Sequence, residues 1–479
     1  MSEPRPTTRL SKTDAWLAAI FIVAVGCRLA AARGELAFDE IWTWMLAARS
    51  KSALEILVGL SLDNNHILNT LVVYALGPNA EPLTYRLPAV AAASAGLVFG
   101  YLLGRRRGAG LPVLILLGAS HLLILYGSEA RGYAYLSGCT LGAWWVLEEY
   151  LDRPRTWCRA GFALACALGL LSQLPFAFAY AGFFTYSVLR LYRRRHWMQS
   201  VVLLHAWPVV AIVAIYVTYV VGLTKGGGDK FPLGETLVAA LSLMVGGPQR
   251  GVAALVAAAV AALLLAVSLA TEFRAERARA ALYLTAMFAA PAGVIAISGF
   301  EYVYPRHFLV PMMFGYVAIG SQLANWFRHG QYWRFAAVAL VWGYVAANAV
   351  PIARLIAYGR SPDAAALLWI VDHSEGPVVT ISGDHDFRVG FPFPYHLFRN
   401  AAYLERSGKR LEYFALDDLA ETAKYPRSGT DWKLRHTASE WDKPPPALFT
   451  DMYQNKYEQV KVFPTGSLSG FSWFIYRRK

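Results

Sequence analysis

Two adjacent acids, Asp39 and Glu40, follow the first long apolar run by a few residues and are flanked by Phe38, Trp42 and Trp44. Burying a carboxylate among aromatics costs on the order of several kcal/mol unless it is paired or used. A carboxylate so placed can take the proton from a hydroxyl and leave its oxygen nucleophilic. Three more polar stretches border apolar runs: Asp63-Asn64-Asn65-His66, the segment from Tyr126 to Tyr133 with Glu129 and Arg131, and the segment from Glu301 to His307 with Arg306. A fourth sets Lys225 and Lys230 around three glycines. Arginine, lysine and histidine hold phosphate oxygens and take up the charge that develops as a phosphate departs. An acid with such cations is the set that moves a sugar from a phosphate leaving group to a hydroxyl. The candidates are therefore Asp39 and Glu40 as the acids, with His66, Arg131, Tyr133, Lys225, Arg306 and His307 as substrate contacts. The same acids would also suit the first turn of a helix, Arg131 could pair with Glu129, and the lysines could belong to a solvated loop.

The elements that must position these residues are membrane-spanning helices. Of 479 residues, 56% are apolar and 16% charged, and mean hydropathy is positive, which excludes an ordinary soluble enzyme. The net charge of +13 is spread in short clusters between apolar runs, the pattern of a polytopic membrane protein and not of a nucleic-acid-binding face. Cys27, Cys139, Cys158 and Cys166 show neither metal-ligand spacing nor a disulfide framework and read as small core side chains. The first apolar run, 15–32, is long enough to stay as a spanning helix.

About eleven spans are expected, near 15–32, 83–104, 111–127, 133–150, 159–172, 174–191, 201–223, 251–270, 280–298, 307–325 and 334–356. Basic clusters at 105–107, 153–159, 190–195, 274–279 and 328–334 recur at every second connection, on the side of the basic leader. The leader side should be cytoplasmic, so the acid pair and the other polar stretches face outward. Between the first two spans, short interfacial helices are expected. The tail is charged and proline-rich, with a helix over 363–371 and a strand over 376–383, and reads as a small α/β domain of 357–479 after a membrane domain of 1–356. Asp384-His385-Asp386 ends that strand and suits a metal, an acceptor contact or a plain polar loop.

The acid pair, Asn64-Asn65-His66-Ile67-Leu68-Asn69-Thr70, Tyr85-Arg86-Leu87-Pro88, Glu129 to Tyr133 and Tyr304-Pro305-Arg306-His307 together resemble the bacterial protein O-mannosyltransferase-like glycosyltransferases of GT-C fold, the family 39 and 83 relatives that include the aminoarabinose transferase of lipid A. The resemblance covers about residues 15–325. It implies a polyprenyl-phosphate-linked sugar donor, a site on the periplasmic or outer face of a bacterial inner membrane, Asp39 as base with Glu40 supporting it, and Arg131 and Arg306 on the donor phosphate. His66 departs from relatives whose histidine is followed by two prolines, since Ile67 and Leu68 stand there.

The sequence thus reads as an all-α polytopic GT-C membrane protein with a small extracytoplasmic α/β domain. It would transfer a sugar to a hydroxyl of a lipid, polysaccharide or protein, with inversion. No cofactor is implied, and a divalent ion stays open. The alternatives are a polysaccharide polymerase or ligase using polyprenyl-diphosphate glycans, and a lipid or glycan transporter. The charges sit at one face and no inverted repeat is visible, which weighs against the transporter.

Overall fold

The computed structural model describes residues 12–224, 231–298, 303–416, 423–438, 442–466, 468 and 470–479. Helices occupy all eleven places where spans are expected. In chain order they begin α1 (Lys12–Ala31), α2 (Phe38–Arg49), α3 (Ala53–Val58), α4 (Ile67–Leu76), α5 (Pro82–Arg105), α6 (Gly110–Ala119) and α7 (His121–Tyr126). There follow α8 (Gly132–Asp152), α9 (Thr156–Ser172), α10 (Phe176–Leu191), α11 (Trp197–Ile215), α12 (Leu233–Met244), α13 (Val252–Ala275), α14 (Arg277–Leu284), α15 (Ala290–Ser298), α16 (Leu309–Arg328) and α17 (Gln331–Tyr358). Among the described residues, seven helical segments are long and apolar enough to cross a membrane, and the chain is a multi-pass membrane protein. The other four expected spans are shorter or more charged: α9 and α10 have 17 and 16 residues, α8 carries Glu148, Glu149 and Asp152 in its last turns, and 111–127 is split into α6 and α7 at Ser120.

Two compact units divide the chain: one takes the chain to Ala32, Leu57–Asn69 and Arg86–Ile352, the other Arg33–Ile56, Thr70–Tyr85 and Ala353–Lys479. In the first, helices meet through small residues. A side chain at Gly96 of α5 would lie 3.3 Å from the backbone of Gly138 on α8, so these helices touch backbone to backbone. One end of this unit is a charged network. Arg107 pairs with Glu148 at 2.7 Å, Arg190 with Glu276 at 2.8 Å and Asp152 at 3.3 Å, Arg279 with Glu276 at 2.8 Å, and Arg106 with Glu149 and Asp152. These residues belong to or adjoin three of the basic clusters, so 105–107, 190–195 and 274–279 share one end of the bundle. Arg131 and Glu148 lie at opposite ends of α8, which spans about 30 Å at 1.5 Å per residue.

The break at Ser120 is a built feature. Ser120 caps α7 by accepting from the Leu123 amide at 3.3 Å, and Asn348 of α17 accepts from the His121 amide at 2.8 Å. The last carbonyls of α6 are taken by Arg28 of α1, which donates to Leu117 at 3.2 Å and Gly118 at 3.4 Å, and by Tyr344, which donates to Leu116 at 2.6 Å. A buried arginine inside an apolar bundle thus replaces the missing helical amides.

In the second unit the sheet runs β1 (Val378–Gly383), β2 (Arg410–Ala415), β3 (Ala423–Lys424), β4 (Trp432–Thr437), β5 (Leu448–Thr450), β6 (Lys456–Phe463) and β7 (Ser472–Arg478), in the order β3-β2-β1-β4-β7-β6-β5. The helices of the tail are α18 (Asp363–Asp372), α19 (Asp386–Val389), α20 (Phe393–Arg399) and α21 (Ala401–Ser407). Helix α18 buries Ala366, Leu367, Ile370 and Val371 in one core with Val379, Ile381, Trp432, Leu434 and Ile475 of the sheet. The helix and strand expected at 363–371 and 376–383 are α18 and β1. Helix α2 belongs to this unit too. Phe38 meets Phe387 at 5.3 Å, Trp42 meets Phe391 at 5.7 Å and Trp44 meets Tyr395 at 5.0 Å. The tryptophans around the acid pair are docking anchors, with Trp44 also donating to the Pro78 carbonyl at 3.1 Å.

Candidate functional site

The stretch before α4 is tied down by its own backbone. Ser61 and Asp63 exchange backbone hydrogen bonds with Thr224 at 2.8 and 3.2 Å, and Tyr219 donates to the carbonyls of Leu62 at 2.6 Å and Asn65 at 3.1 Å. Asn65 and His66 are buried as a result, and Asn69 on the first turns of α4 donates to the Ala130 carbonyl at 2.5 Å. This brings the histidine stretch against Glu129 to Tyr133.

Arg131 stands immediately before the first residue of α8 with its backbone extended. The next residue is glycine for a packing reason: a side chain there would come within 1.9 Å of the Ser172 carbonyl at the end of α9. The chain therefore runs hard against α9, and the guanidinium turns inward. It is buried, donates to Asn64 Oδ1 at 3.0 Å, meets His66 Nε2 at 3.1 Å and lies over the Tyr133 ring at 5.1 Å. Tyr133 also contacts His66 and Tyr126, with ring centroids 5.5 and 4.9 Å apart. Three residues singled out from sequence, His66, Arg131 and Tyr133, are one cluster.

Its protonation state follows. Guanidinium only donates, so Nε2 of His66 accepts and the ring proton sits on Nδ1. The Gln173 side-chain nitrogen stands 2.8 Å from Nδ1, and turning that amide about its terminal bond lets its oxygen accept from the ring N–H. Burial first, then the positive charges of Arg131 and Arg306, holds the His66 pKa well below its usual 6.5. A second proton would be stabilised only by an incoming anion.

Arg306 and His307 lie on a single 3₁₀ turn, Pro305–Phe308, that leads into α16. The Arg306 guanidinium lies over the Tyr304 ring at 4.6 Å, and His307 Nδ1 accepts from the Tyr304 amide at 3.3 Å. Helix α12 helps hold this turn: Thr236 donates to the Val303 carbonyl at 3.0 Å, and Phe231 just before the helix packs on Tyr304 at 5.8 Å. Lys225 and Lys230 lie outside the described residues.

Asp39 and Glu40 occupy the first turn of α2, where acids complement the helix dipole. Their environments differ. Glu40 is buried, and its carboxylate accepts from the Ala37 amide at 2.8 Å, closing the helix start. Asp39 is half-buried.

Sequence reasoning did not find Gln173 or Arg28. Gln173 is the polar residue that ends α9, signalled only by its place between two apolar runs. Helix α12 was also missed: twelve residues are too few to span, and its cues were Pro232 before it and Gly246-Gly247 after it. Among the described residues, no group of three or more His, Cys, Asp or Glu side chains is gathered to hold a metal, Asp384-His385-Asp386 included.

No family model and no curated protein matches this chain. Solved structures do. The apo crystal structure of ArnT from Cupriavidus metallidurans superposes over 89% of this chain and 93% of its own, at TM-score 0.52 and 13% identity. That of the same protein bound to undecaprenyl phosphate covers 88% and 93%, at TM-score 0.47 and 14% identity. At such identity the likeness carries architecture alone, and the chain has a GT-C-type fold similar to that of ArnT.

Proposed function

We propose that this protein is a membrane glycosyltransferase that moves a sugar from a polyprenyl-phosphate donor to an acceptor hydroxyl. The observation that carries the reading is the buried Arg131 with His66, Asn64 and Tyr133 at one end of the helical unit, in a chain with the fold of ArnT. Arg131, with Arg306, whose charge also acts on His66, would bind the donor phosphate and take up the charge left as the glycosidic oxygen departs. His66, neutral and held in one tautomer, would keep Arg131 oriented. Asp39 would remove the proton of the acceptor hydroxyl, which attacks the anomeric carbon in line and inverts it. Glu40, occupied by the helix start, would set the direction of Asp39 without touching substrate. Tyr133 would wall the phosphate site, with His307 and Lys225 as further donor contacts. The reading places the site on the outer face of a bacterial inner membrane.

The test is sugar transfer by purified protein from a panel of synthetic polyprenyl-phosphate sugars, comparing wild type with Asp39→Asn and Arg131→Ala. Turnover in wild type, loss in Asp39→Asn with donor still bound, and loss of donor binding in Arg131→Ala are expected. Absence of donor binding in wild type overturns the reading.

A further inference from the structure

The sheet of the second unit reverses its winding at β1. From β1 the chain passes to β2 and β3 on one side and then returns to β4 on the other, all four strands parallel. In open α/β sheets the crevice beyond the carboxyl end of such a strand is where ligands bind. Here that crevice is chemically furnished. Asp384 leaves the end of β1 and His436 lies near the end of β4. The Asp384 carboxylate accepts from the His436 ring Nδ1 at 2.7 Å and from its backbone amide at 3.0 Å. His436 Nε2 faces Arg388 of α19 at 2.6 Å, so the relay Arg388 to His436 to Asp384 has one direction and the imidazole one tautomer. Asp384 is exposed.

Beside this polar line is an aromatic wall. Phe387 and Phe391 stand 5.1 Å apart, Phe471 lies 5.2 Å from the His436 ring, and all three are only partly buried. An exposed carboxylate with a donor fixed behind it fits neighbouring ring hydroxyls, and the parts of these rings that Phe38 and Trp42 leave uncovered fit the C–H groups of a pyranose. The same wall receives Phe38, the residue before Asp39, at 5.3 Å from Phe387 and 5.9 Å from Phe471. The crevice and the helix bearing the acid pair are thus one packed assembly within this unit.

We infer that the carboxyl end of β1 is an acceptor-side subsite that binds a sugar ring through Asp384 and Arg388, held in place by His436, against Phe387 and Phe471. This rests on the glycosyltransferase reading and narrows its acceptor to a glycan or glycolipid. Full-length protein in phosphatidylcholine nanodiscs is examined by saturation-transfer NMR with three probes: methyl glucoside, methyl N-acetylglucosaminide and methyl galacturonide. At least one should receive saturation in wild type, and binding should weaken about tenfold in Asp384→Ala, the size of one lost hydrogen bond to a charged group. Phe387→Ala should weaken it also, and the milder Asp384→Asn keeps the test alive if either alanine variant fails to fold. Binding of a polyprenyl-phosphate sugar, followed in parallel, should be unchanged in Asp384→Asn. Silence of all three probes with wild type, or equal saturation in wild type and folded variants, overturns the subsite. Glycoside binding without any donor binding retains the subsite and removes the transferase reading instead.

Discussion

Arg131 and His66 are 65 residues apart in the chain, and the guanidinium of one stands 3.1 Å from Nε2 of the other in a buried site. The contact works only while the imidazole is neutral, and burial, helped by the neighbouring guanidinium charges, keeps it so.

Stability should therefore fall on acidification. Below about pH 6.5 the unfolded chain takes a proton on His66 that the folded protein refuses, so the unfolded state binds more protons and unfolding free energy rises with pH. The loss should approach about 1.4 kcal/mol per pH unit until the lowered native pKa is reached. Unfolding midpoints of His66→Gln should lack this component while retaining that of every other group. Parallel pH profiles for wild type and His66→Gln would falsify the neutral assignment.

The two acids of α2 should separate by phenotype. Asp39→Asn should reduce transfer about 10²- to 10⁴-fold, the usual contribution of a general base, and leave the unfolding temperature near wild type. Glu40→Ala should instead cost about 1 kcal/mol of stability by freeing the Ala37 amide. Rate measurements and melting curves on the two single variants decide it, and the assignment is reversed if Glu40→Ala is the folded but inactive one.

Gly132→Ala is expected to be worse than its size suggests. The added carbon would meet the Ser172 carbonyl at 1.9 Å, so the start of α8 or the end of α9 must move, and with it the seat of Arg131. A loss of about 1–3 kcal/mol is expected from overpacking, together with weaker donor binding. Melting curves and donor titration on this variant measure both.

Much of this architecture was legible because apolar runs of about bilayer length recur along the chain and three of the basic clusters meet at one end of the helical unit. The order of the motifs marked His66, Arg131 and Tyr133, which the fold gathers into one cluster. Three things were hidden, each for a physical reason. The break at Ser120 lies in an unbroken apolar run, and its caps, Arg28, Tyr344 and Asn348, come from helices distant in sequence. Helix α12 is too short to carry a spanning signal. The union of α2 with the tail depends on aromatic pairs such as Phe38 with Phe387, whose spacing in the sequence is some 350 residues and follows no period.

The break at Ser120 leads to the last expectation. Arg28 donates to Leu117 and Gly118, and these bonds stand in for amides that the interrupted helix no longer supplies. Met fills similar space without donors, so Arg28→Met should leave the end of α6 unsatisfied in an apolar interior. The cost should be about 3 kcal/mol, the upper range for stranding a buried polar group. Arg28→Lys keeps the charge but not the planar fork that reaches two carbonyls at once, and should recover only part of that loss. The displaced end of α6 would carry α7 and the Glu129 to Tyr133 segment with it, so donor binding should weaken in the order Arg28→Lys, then Arg28→Met, although Arg28 is assigned no contact with substrate. Unfolding temperature and donor affinity measured on both variants check this. If Arg28→Met melts and binds as wild type does, the break is held by Ser120, Tyr344 and Asn348 alone, and the buried arginine must have another use.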